Sequence, residues 1–300
     1  MKKRWVWEIF GAIMAFVLGG CTVLPISPKV LESVKIHGHR GSRGTHPENT
    51  LPAFEEALAS GAEVLELDLQ LTRDDVPVVT HDPDITSKLC RYHDGRPVAV
   101  PVPIRSLLWS ELAQFDCGNT AQSRFPRQKQ VPGTRIPSLD EFLTWWKTNA
   151  HGLELNIETK MSAEDPKWLP DPEVFARVVV DKFKAHGAVA KTILQSFDFR
   201  TLRAAKKLAP TLRLSCLFED QSNFCELTAA EGAQIASPYQ GLVTPEEVQR
   251  CHERGIEVVP WTANSESEWQ HLLACGVDAI ISDYPRDLRA YLTRLRKQSP

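Results

Sequence analysis

The 300-residue sequence predicts an α/β protein built as a (β/α)₈ TIM barrel. From residue 34 onward, short β-branched and apolar runs alternate with helical patterns, and this alternation occurs eight times. Repeated strand-then-helix units indicate parallel strands joined by crossover helices, and eight is the number that closes a barrel. An open doubly wound sheet would need a G-x-G-x-x-G nucleotide loop after an early strand, which the segment 38–44 does not match.

The predicted elements follow one another in regular order along the chain. The strands cover residues 34–36, 64–68, 153–157, 192–195, 212–215, 234–236, 257–260 and 279–281. The helical patterns cover residues 50–60, 138–149, 172–186, 198–208, 222–231, 244–254, 265–275 and 286–297. Several begin with capping residues, such as Ser138 followed by Glu141.

Two segments break the alternation after the second strand. Residues 69–81 alternate on both sides of a polar centre, which predicts a hairpin that continues strand 2 beyond the barrel and returns. Residues 83–137 are rich in proline, lack periodicity and are too long for a simple loop, so they predict a small insertion. The barrel with this insertion is expected to cover residues 34–297.

The N-terminus predicts export and lipidation. A positive start is followed by an apolar run over 9–20, which is too short to span a membrane and suits a signal peptide. Residues 18–21, Leu-Gly-Gly-Cys, resemble the processing site of bacterial lipoproteins. We therefore expect a signal peptide over 1–20, a lipidated Cys21 that anchors the protein to a bacterial membrane facing periplasm or cell surface, and a tether over 21–33. An N-terminal helix of the fold is the alternative.

The net charge and the cysteine positions bear on binding partners, disulfides and zinc sites. A net charge of −3 gives no basic bias, so nucleic acid is not expected as a partner. In an oxidising compartment, Cys90 and Cys117 of the insertion could form a disulfide, and Cys216 and Cys225 a second one. Cys251 and Cys275 lie in helical patterns and are expected to be buried thiols. The sequence shows no C-x-x-C zinc spacing.

Polar residues collect at the predicted carboxyl ends of the strands, where TIM barrels place their active sites. These residues are His39, Arg40, Glu66, Asp68, His81, Glu158, Lys160 and Trp261. Carboxylate ligands without thiolates suit Ca²⁺ or Mg²⁺, and the two cationic side chains suit a phosphate group. Two histidines add acid and base groups that work at neutral pH, so the set predicts phosphodiester cleavage.

Simpler interpretations of these residues remain open. Glu66 and Asp68 could form salt bridges with Lys160 and Arg40 without any metal, and His81 could be structural. A metal pair made of His37 and His39 would resemble amidohydrolase barrels, but that arrangement also needs histidines at the middle strands. The other histidines of this chain fall elsewhere.

The motifs resemble the glycerophosphodiester phosphodiesterase family. The resemblance begins with H-R-G and P-E-N-T at 39–41 and 47–50, and it continues through E-L-D, H-D, E-T-K, Q-S-F, W-T-A-N and S-D-Y-P, covering about residues 36 to 290. It implies a (β/α)₈ barrel with a small insertion, and hydrolysis of glycerophosphodiesters to glycerol 3-phosphate and an alcohol. Ser282 and Ala263 depart slightly from the usual pattern.

The resemblance also implies a role for each matching position. His39 and His81 would be the acid–base pair, and one divalent ion, Ca²⁺ or Mg²⁺, would bind the three carboxylates Glu66, Asp68 and Glu158. The remaining residues would bind substrate: Arg40 and Lys160 through phosphate, Trp261 through glycerol, and Glu48 by supporting the site. A lysophospholipase D-like headgroup hydrolase and a non-catalytic lipid-anchored surface protein are the alternatives. Trp109, Phe115 and Phe125 of the insertion could contact an acyl chain, although an internal core is the favoured interpretation.

Overall fold

A computed structural model of the chain describes residues 25–161 and 170–298. The predicted signal peptide over 1–20, Cys21 and the first part of the predicted tether lie outside the described residues. Within the described ranges, no helix combines the length and apolar character that crossing a bilayer requires.

Eight parallel strands form the centre of the molecule. They are β1 Lys35–Gly38, β2 Val64–Leu71, β3 Glu154–Thr159, β4 Thr192–Ser196, β5 Arg213–Phe218, β6 Ile235–Pro238, β7 Glu257–Val258 and β8 Ala279–Ser282. The paired strands run in the order β7-β6-β5-β4-β3-β2-β1-β8. Backbone hydrogen bonds from Asp278 N to Val258 O (3.1 Å) and from Ile281 N to Pro260 O (3.0 Å) connect the two ends. The predicted eight-stranded barrel is therefore confirmed.

One helix follows each strand and covers the outside of the barrel. The helices are α1 Leu51–Ala59, α2 Leu139–Asn149, α3 Pro172–His186, α4 Phe199–Leu208, α5 Phe224–Ala230, α6 Pro245–His252, α7 Glu266–Cys275 and α8 Pro285–Gln298. Local chemistry sets their ends: α2 begins at the capping box of Ser138 and Glu141, and α3 ends at Gly187, which has a φ of 69°. Large buried side chains such as Phe54, Trp146 and Phe183 fill the layer between helices and strands.

The hairpin and the insertion extend from the carboxyl end of β2. A return strand, Pro77–Val79, pairs antiparallel with the last residues of β2, as predicted. The insertion packs around its own small core, which contains Phe115 and is contacted by Trp109. A disulfide joins Cys90 to Cys117 across 27 positions of sequence, which confirms the pairing expected for this segment.

The second expected disulfide is wrong. Cys216 and Cys225 are free and buried, because the Cys216 thiol faces Thr228 while the Cys225 thiol faces Cys251. Cys251 and Cys275 are buried thiols, as expected.

Part of the predicted tether is packed structure. Residues Pro28–Ser33 form a short helix whose Leu31 is buried in the main core. Arg296 of α8 donates from Nε to the Leu31 carbonyl at 2.8 Å. The ordered body of the protein therefore begins before residue 34.

Candidate active site

A cavity of about 540 Å³ opens at the carboxyl ends of the barrel strands. Its size is within the range of small-molecule sites. Seven of the sequence-predicted site residues line it: His39, Arg40, Glu66, His81, Glu158, Lys160 and Trp261. Asp68 and Glu48 lie against these residues, through contacts with Lys160 and Arg40. The structure thus brings all nine predicted residues to one place.

Three buried carboxylates form the floor of this site. Glu66 and Asp68 project from the same face of β2, and Glu158 projects from the adjacent β3, where it is paired in register with Asp68. One oxygen from each of the three lies within 4.8 Å of the other two. The side chains of Asp68 and Glu158 are 1% and 7% exposed, and Glu66 is also buried. Such closely spaced buried carboxylates repel one another unless a cation lies among them.

The hydrogen bonds around the three carboxylates leave room for a cation. Glu66 accepts from the backbone N–H of Arg40 and from Gln195 Nε2, both at 2.8 Å. Asp68 Oδ1 and Glu158 Oε1 are buried, and within the described residues Lys160 Nζ is the one partner that approaches them, at 3.3 and 2.8 Å. Oxygens left with free lone pairs at this spacing are the donor set that Ca²⁺ and Mg²⁺ prefer. The residues present therefore fit one divalent ion.

The electrostatics of the cluster agree with this fit. Burial, with the nearby Asp68 charge, raises the pKa of Glu66 well above its usual value. Burial also raises the pKa of Glu158 to about 7. Burial acts in the same direction on Asp68, but Lys160 and Arg40 outweigh it and hold the pKa of Asp68 low. The cluster can become fully ionised at neutral pH when a cation replaces the retained protons.

His39 is held by a buried carboxylate. Its Nδ1 lies 2.6 Å from Asp283 Oδ1, so the proton on Nδ1 is shared with the carboxylate and Nε2 is left as the acceptor. Asn264 fixes Asp283 in turn, donating from Nδ2 to Oδ2 at 2.7 Å. Burial lowers the pKa of His39 below 6.5, against the opposing effect of Asp283. His39 is therefore a neutral, oriented imidazole that can accept a proton at pH 7.

His81 has a similar arrangement in a more open position. Its Nδ1 lies 2.8 Å from Asp82 Oδ1, and its side chain is 32% exposed at the mouth of the cavity. Burial lowers the pKa of His81, while the charges of Asp68 and Asp82 oppose that effect. Two imidazoles, each with a carboxylate at Nδ1, thus face the carboxylate cluster from neighbouring positions.

Arg40 and Lys160 supply the positive charge of the site. Arg40 contacts Glu48 Oε1 through Nη1 at 2.7 Å and Asp68 Oδ2 through Nε at 3.2 Å. These carboxylates outweigh the effect of burial and raise the pKa of Arg40. Glu48 also lies 2.9 Å from Arg43 Nε, so it orients two guanidinium groups and does not itself line the cavity.

Trp261 lines the cavity from the segment that follows β7. Its indole Nε1 donates to Ser237 O at 3.0 Å, which fixes the ring. Phe197, at the end of β4, packs edge-on against it with 5.7 Å between ring centroids, and Leu217 adds a further apolar contact surface. This wall is suited to the carbon face of a small polyol.

His37 does not join the site. It is buried and its Nδ1 lies 3.3 Å from Asn156 Nδ2. Burial lowers the pKa of His37 to about 3, so the ring is neutral. Among the residues that the structure describes, His37 belongs to no cluster of three potential metal ligands, and the hypothesis of a histidine metal pair is not supported.

Four residues that hold the site side chains in place were not assigned a role from the sequence. Asn49, Gln195, Asn264 and Asp283 hold the carboxylates and His39 in place. Each belongs to a motif, at a strand end or, for Asn49, just before α1, so its residue type could be noticed in the sequence. Its partner could not, because Asp283 and His39 are 244 positions apart.

Comparisons with known proteins agree with the fold and with the family that the motifs resemble. The family model described as "Glycerophosphoryl diester phosphodiesterase family" matches residues 39–287. A glycerophosphodiester phosphodiesterase of Bacillus altitudinis is 31% identical, over 84% of this chain and 95% of its own. The structure of a putative glycerophosphoryl diester phosphodiesterase from Silicibacter pomeroyi superposes with a TM-score of 0.82 at 29% identity, covering 89% of this chain and 97% of that one.

A second solved structure carries a bound product. It is an Oleispira antarctica phosphodiesterase in complex with sn-glycerol-3-phosphate, with a TM-score of 0.72 and 25% identity, covering 86% of this chain and 96% of that one. The family match spans more than half of the chain and contains every site residue described above. The chain therefore belongs to the glycerophosphoryl diester phosphodiesterase family.

Proposed function

We propose that the protein hydrolyses glycerophosphodiesters to glycerol 3-phosphate and an alcohol, with one divalent ion, Ca²⁺ or Mg²⁺, held by Glu66, Asp68 and Glu158. Such an ion, when bound, neutralises the non-bridging phosphate oxygens and makes the phosphorus more electrophilic. The observation that carries the proposal is the set of buried, under-bonded carboxylate oxygens between two carboxylate-backed histidines.

The chain's own residues divide the reaction between them. Arg40 and Lys160 bind the phosphate charge and keep it in front of the histidines. His39 Nε2 accepts a proton from the attacking water, whose oxygen forms the new bond to phosphorus, since Asp283 holds the ring proton at Nδ1. The bond between phosphorus and the headgroup oxygen then breaks, and His81 gives that oxygen a proton. Asp82 and the bound phosphate favour the imidazolium form that His81 needs for this step.

The decisive experiment is a substrate panel with controlled metal content. The protein from Ser27 onward, stripped with EDTA and reloaded with Ca²⁺ or Mg²⁺, should release glycerol 3-phosphate from glycerophosphocholine or glycerophosphoethanolamine. Chelator should stop the release, and the better ion identifies the metal. A folded, metal-loaded protein that turns over neither substrate contradicts the proposal.

Histidine variants test the assigned roles. His39→Ala and His81→Ala should each lose activity while the fold is kept. His252→Ala is a matched control, because His252 also contacts a carboxylate, Asp278, at 2.9 Å but lies at the far end of α6 outside the cavity. A variant of His39 or His81 that retains full activity removes that residue from the mechanism.

Small glycerophosphodiesters are favoured over lysophospholipids as substrates. Trp109 and Phe115 contribute to the insertion's own core, and Phe125 is buried beneath two arginines. These aromatic side chains therefore pack against other residues of the protein and do not present a surface for an acyl chain. Most residues that line the cavity are charged or polar. Faster release of lysophosphatidic acid from lysophosphatidylcholine than of glycerol 3-phosphate from glycerophosphocholine would reverse this preference.

We further propose that the protein is exported and anchored through a lipidated Cys21. The disulfide between Cys90 and Cys117 supports this location, since structural disulfides persist in oxidising compartments. Cys21→Ser should release the protein from the membrane fraction, and mass spectrometry of the mature N-terminus should find acyl groups on Cys21. An uncleaved, unmodified N-terminus contradicts the proposal.

A further inference from the structure

One segment of the insertion, residues 124–129, is fixed against the loop that carries His39. Gln128 donates from Nε2 to Arg43 O at 2.7 Å, and the backbone N–H of Lys129 donates to Thr45 O at 2.8 Å. Arg127 forms an ion pair with Asp287 of α8. These contacts hold the segment at the rim of the cavity.

The segment places two guanidinium groups around one aromatic ring. Phe125 is buried, and the guanidinium carbons of Arg43 and Arg124 lie 4.6 and 5.6 Å from its ring centroid. Both arginines line the active-site cavity. Stacking on an aromatic ring restricts an arginine side chain and directs its N–H groups sideways.

The two arginines differ in their partners. Arg43 is paired with Glu48, whose Oε2 lies 2.9 Å from Nε. Arg124 is exposed, and within the described residues it forms no ion pair. Asp82, the carboxylate on the same side of the cavity, is engaged by His81 at 2.8 Å. Arg124 is therefore a cavity-lining cation whose charge no ion pair within the described residues neutralises.

The two arginines and the aromatic wall of the cavity come from different strand ends, which relates the arginines to the headgroup end of the substrate. Arg43 follows β1 and Arg124 belongs to the insertion after β2, whereas Trp261 follows β7 and Phe197 follows β4. The inference rests on the proposed function: when the glycerol packs on Trp261, the leaving alcohol points toward Arg124. We propose that Arg124, assisted by Arg43, is a headgroup subsite that selects glycerophosphodiesters whose leaving alcohol carries a further negative charge.

Two matched substrate pairs test this subsite. Glycerophosphoserine differs from glycerophosphoethanolamine by one carboxylate, and glycerophosphoglycerophosphoglycerol differs from glycerophosphoglycerol by a second phosphodiester. The measured quantity is the ratio of kcat/KM for the anionic member to that for its partner, with the full-length, metal-loaded protein. Arg124→Gln should lower this ratio by about three- to tenfold, mainly through KM, as expected for one partly exposed charge pair.

The control is Lys129→Gln, which removes one exposed positive charge from the same segment but not from the cavity lining. It should leave both ratios unchanged. A shift in the serine pair alone assigns a carboxylate to the subsite, and a shift in the other pair alone assigns a phosphate.

Unchanged ratios in Arg124→Gln, or an equal shift in Lys129→Gln, overturn the inference. If the wild-type protein releases glycerol 3-phosphate from none of the four substrates, the proposed function has failed and the inference falls with it. Unfolding curves of both variants establish that a lost preference is not a lost fold.

Discussion

Replacing Asp283 with asparagine should slow catalysis strongly without unfolding the barrel. Burial alone would raise the pKa of Asp283, yet His39, Arg43 and Arg40 lower it from 3.8 to about 2. That difference corresponds to about 2.5 kcal/mol of stabilisation of the charged carboxylate by its surroundings. The same charge stabilises the imidazolium that forms on His39 when it accepts a proton. Its removal should therefore lower kcat by about ten- to a hundredfold.

The pH profile distinguishes a positioning role from a structural one. Because Asp283 raises the pKa of His39, its neutralisation should move the acid limb of kcat/KM to lower pH as well as lower the plateau. Asp278→Asn is the matched control: Asp278 Oδ2 also contacts a histidine, His252, at 2.9 Å, but Asp278 precedes β8 at the opposite end of the barrel. A wild-type kcat and an unchanged pH profile in Asp283→Asn would show that Asp283 does not position or charge-stabilise His39.

Four further predictions concern protonation, the metal site and the insertion. Burial lowers the pKa of His39 below 6.5, so the acid limb of kcat/KM, where the base gains a proton, should be half complete below pH 6.5, and loss of the proton that His81 donates should lower kcat/KM again at higher pH; an acid limb half complete above pH 6.5 would contradict this. Ca²⁺ or Mg²⁺ at about 100 times its Kd should raise the free energy of unfolding by about 2.7 kcal/mol in urea titrations. Glu158→Gln should weaken metal binding by about tenfold or more, and the absence of stabilisation by either ion would contradict the site. A double Cys90→Ser, Cys117→Ser variant should lose about 3.5 kcal/mol of stabilisation of the insertion, because the bridge spans 27 positions; unaltered protease resistance of the insertion would argue against it.

Local sequence patterns were sufficient for the barrel. Each strand and helix is marked by its own periodicity and caps, such as Ser138 with Glu141 at the start of α2. Strand β7 ends at Val258 instead of the predicted residue 260, and the other strands end one to three residues later than predicted, for example β5 at Phe218 instead of residue 215. The helix Pro28–Ser33 was missed, since six residues carry too little periodicity.

The sequence was sufficient to predict which residues gather at the site, but not which of them contact one another. Glu66, Asp68 and His81 could be assigned to one rim because strand ends meet there. The pairing of His39 with Asp283 and the approach of Arg124 to Arg43 depend on how distant segments pack, which no local pattern encodes. The incorrect pairing of Cys216 with Cys225 has the same cause: their closeness in sequence does not decide which thiols face each other.

The central claim is that the protein cleaves the bond between phosphorus and the headgroup oxygen. Phosphorus-31 NMR of glycerophosphoethanolamine incubated with the metal-loaded protein tests it most directly, because the two possible cleavages give different phosphomonoesters. A growing signal of glycerol 3-phosphate is expected, absent with EDTA and in His39→Ala. Phosphoethanolamine as the product, or an unchanged phosphodiester signal with folded and metal-loaded protein, would contradict it.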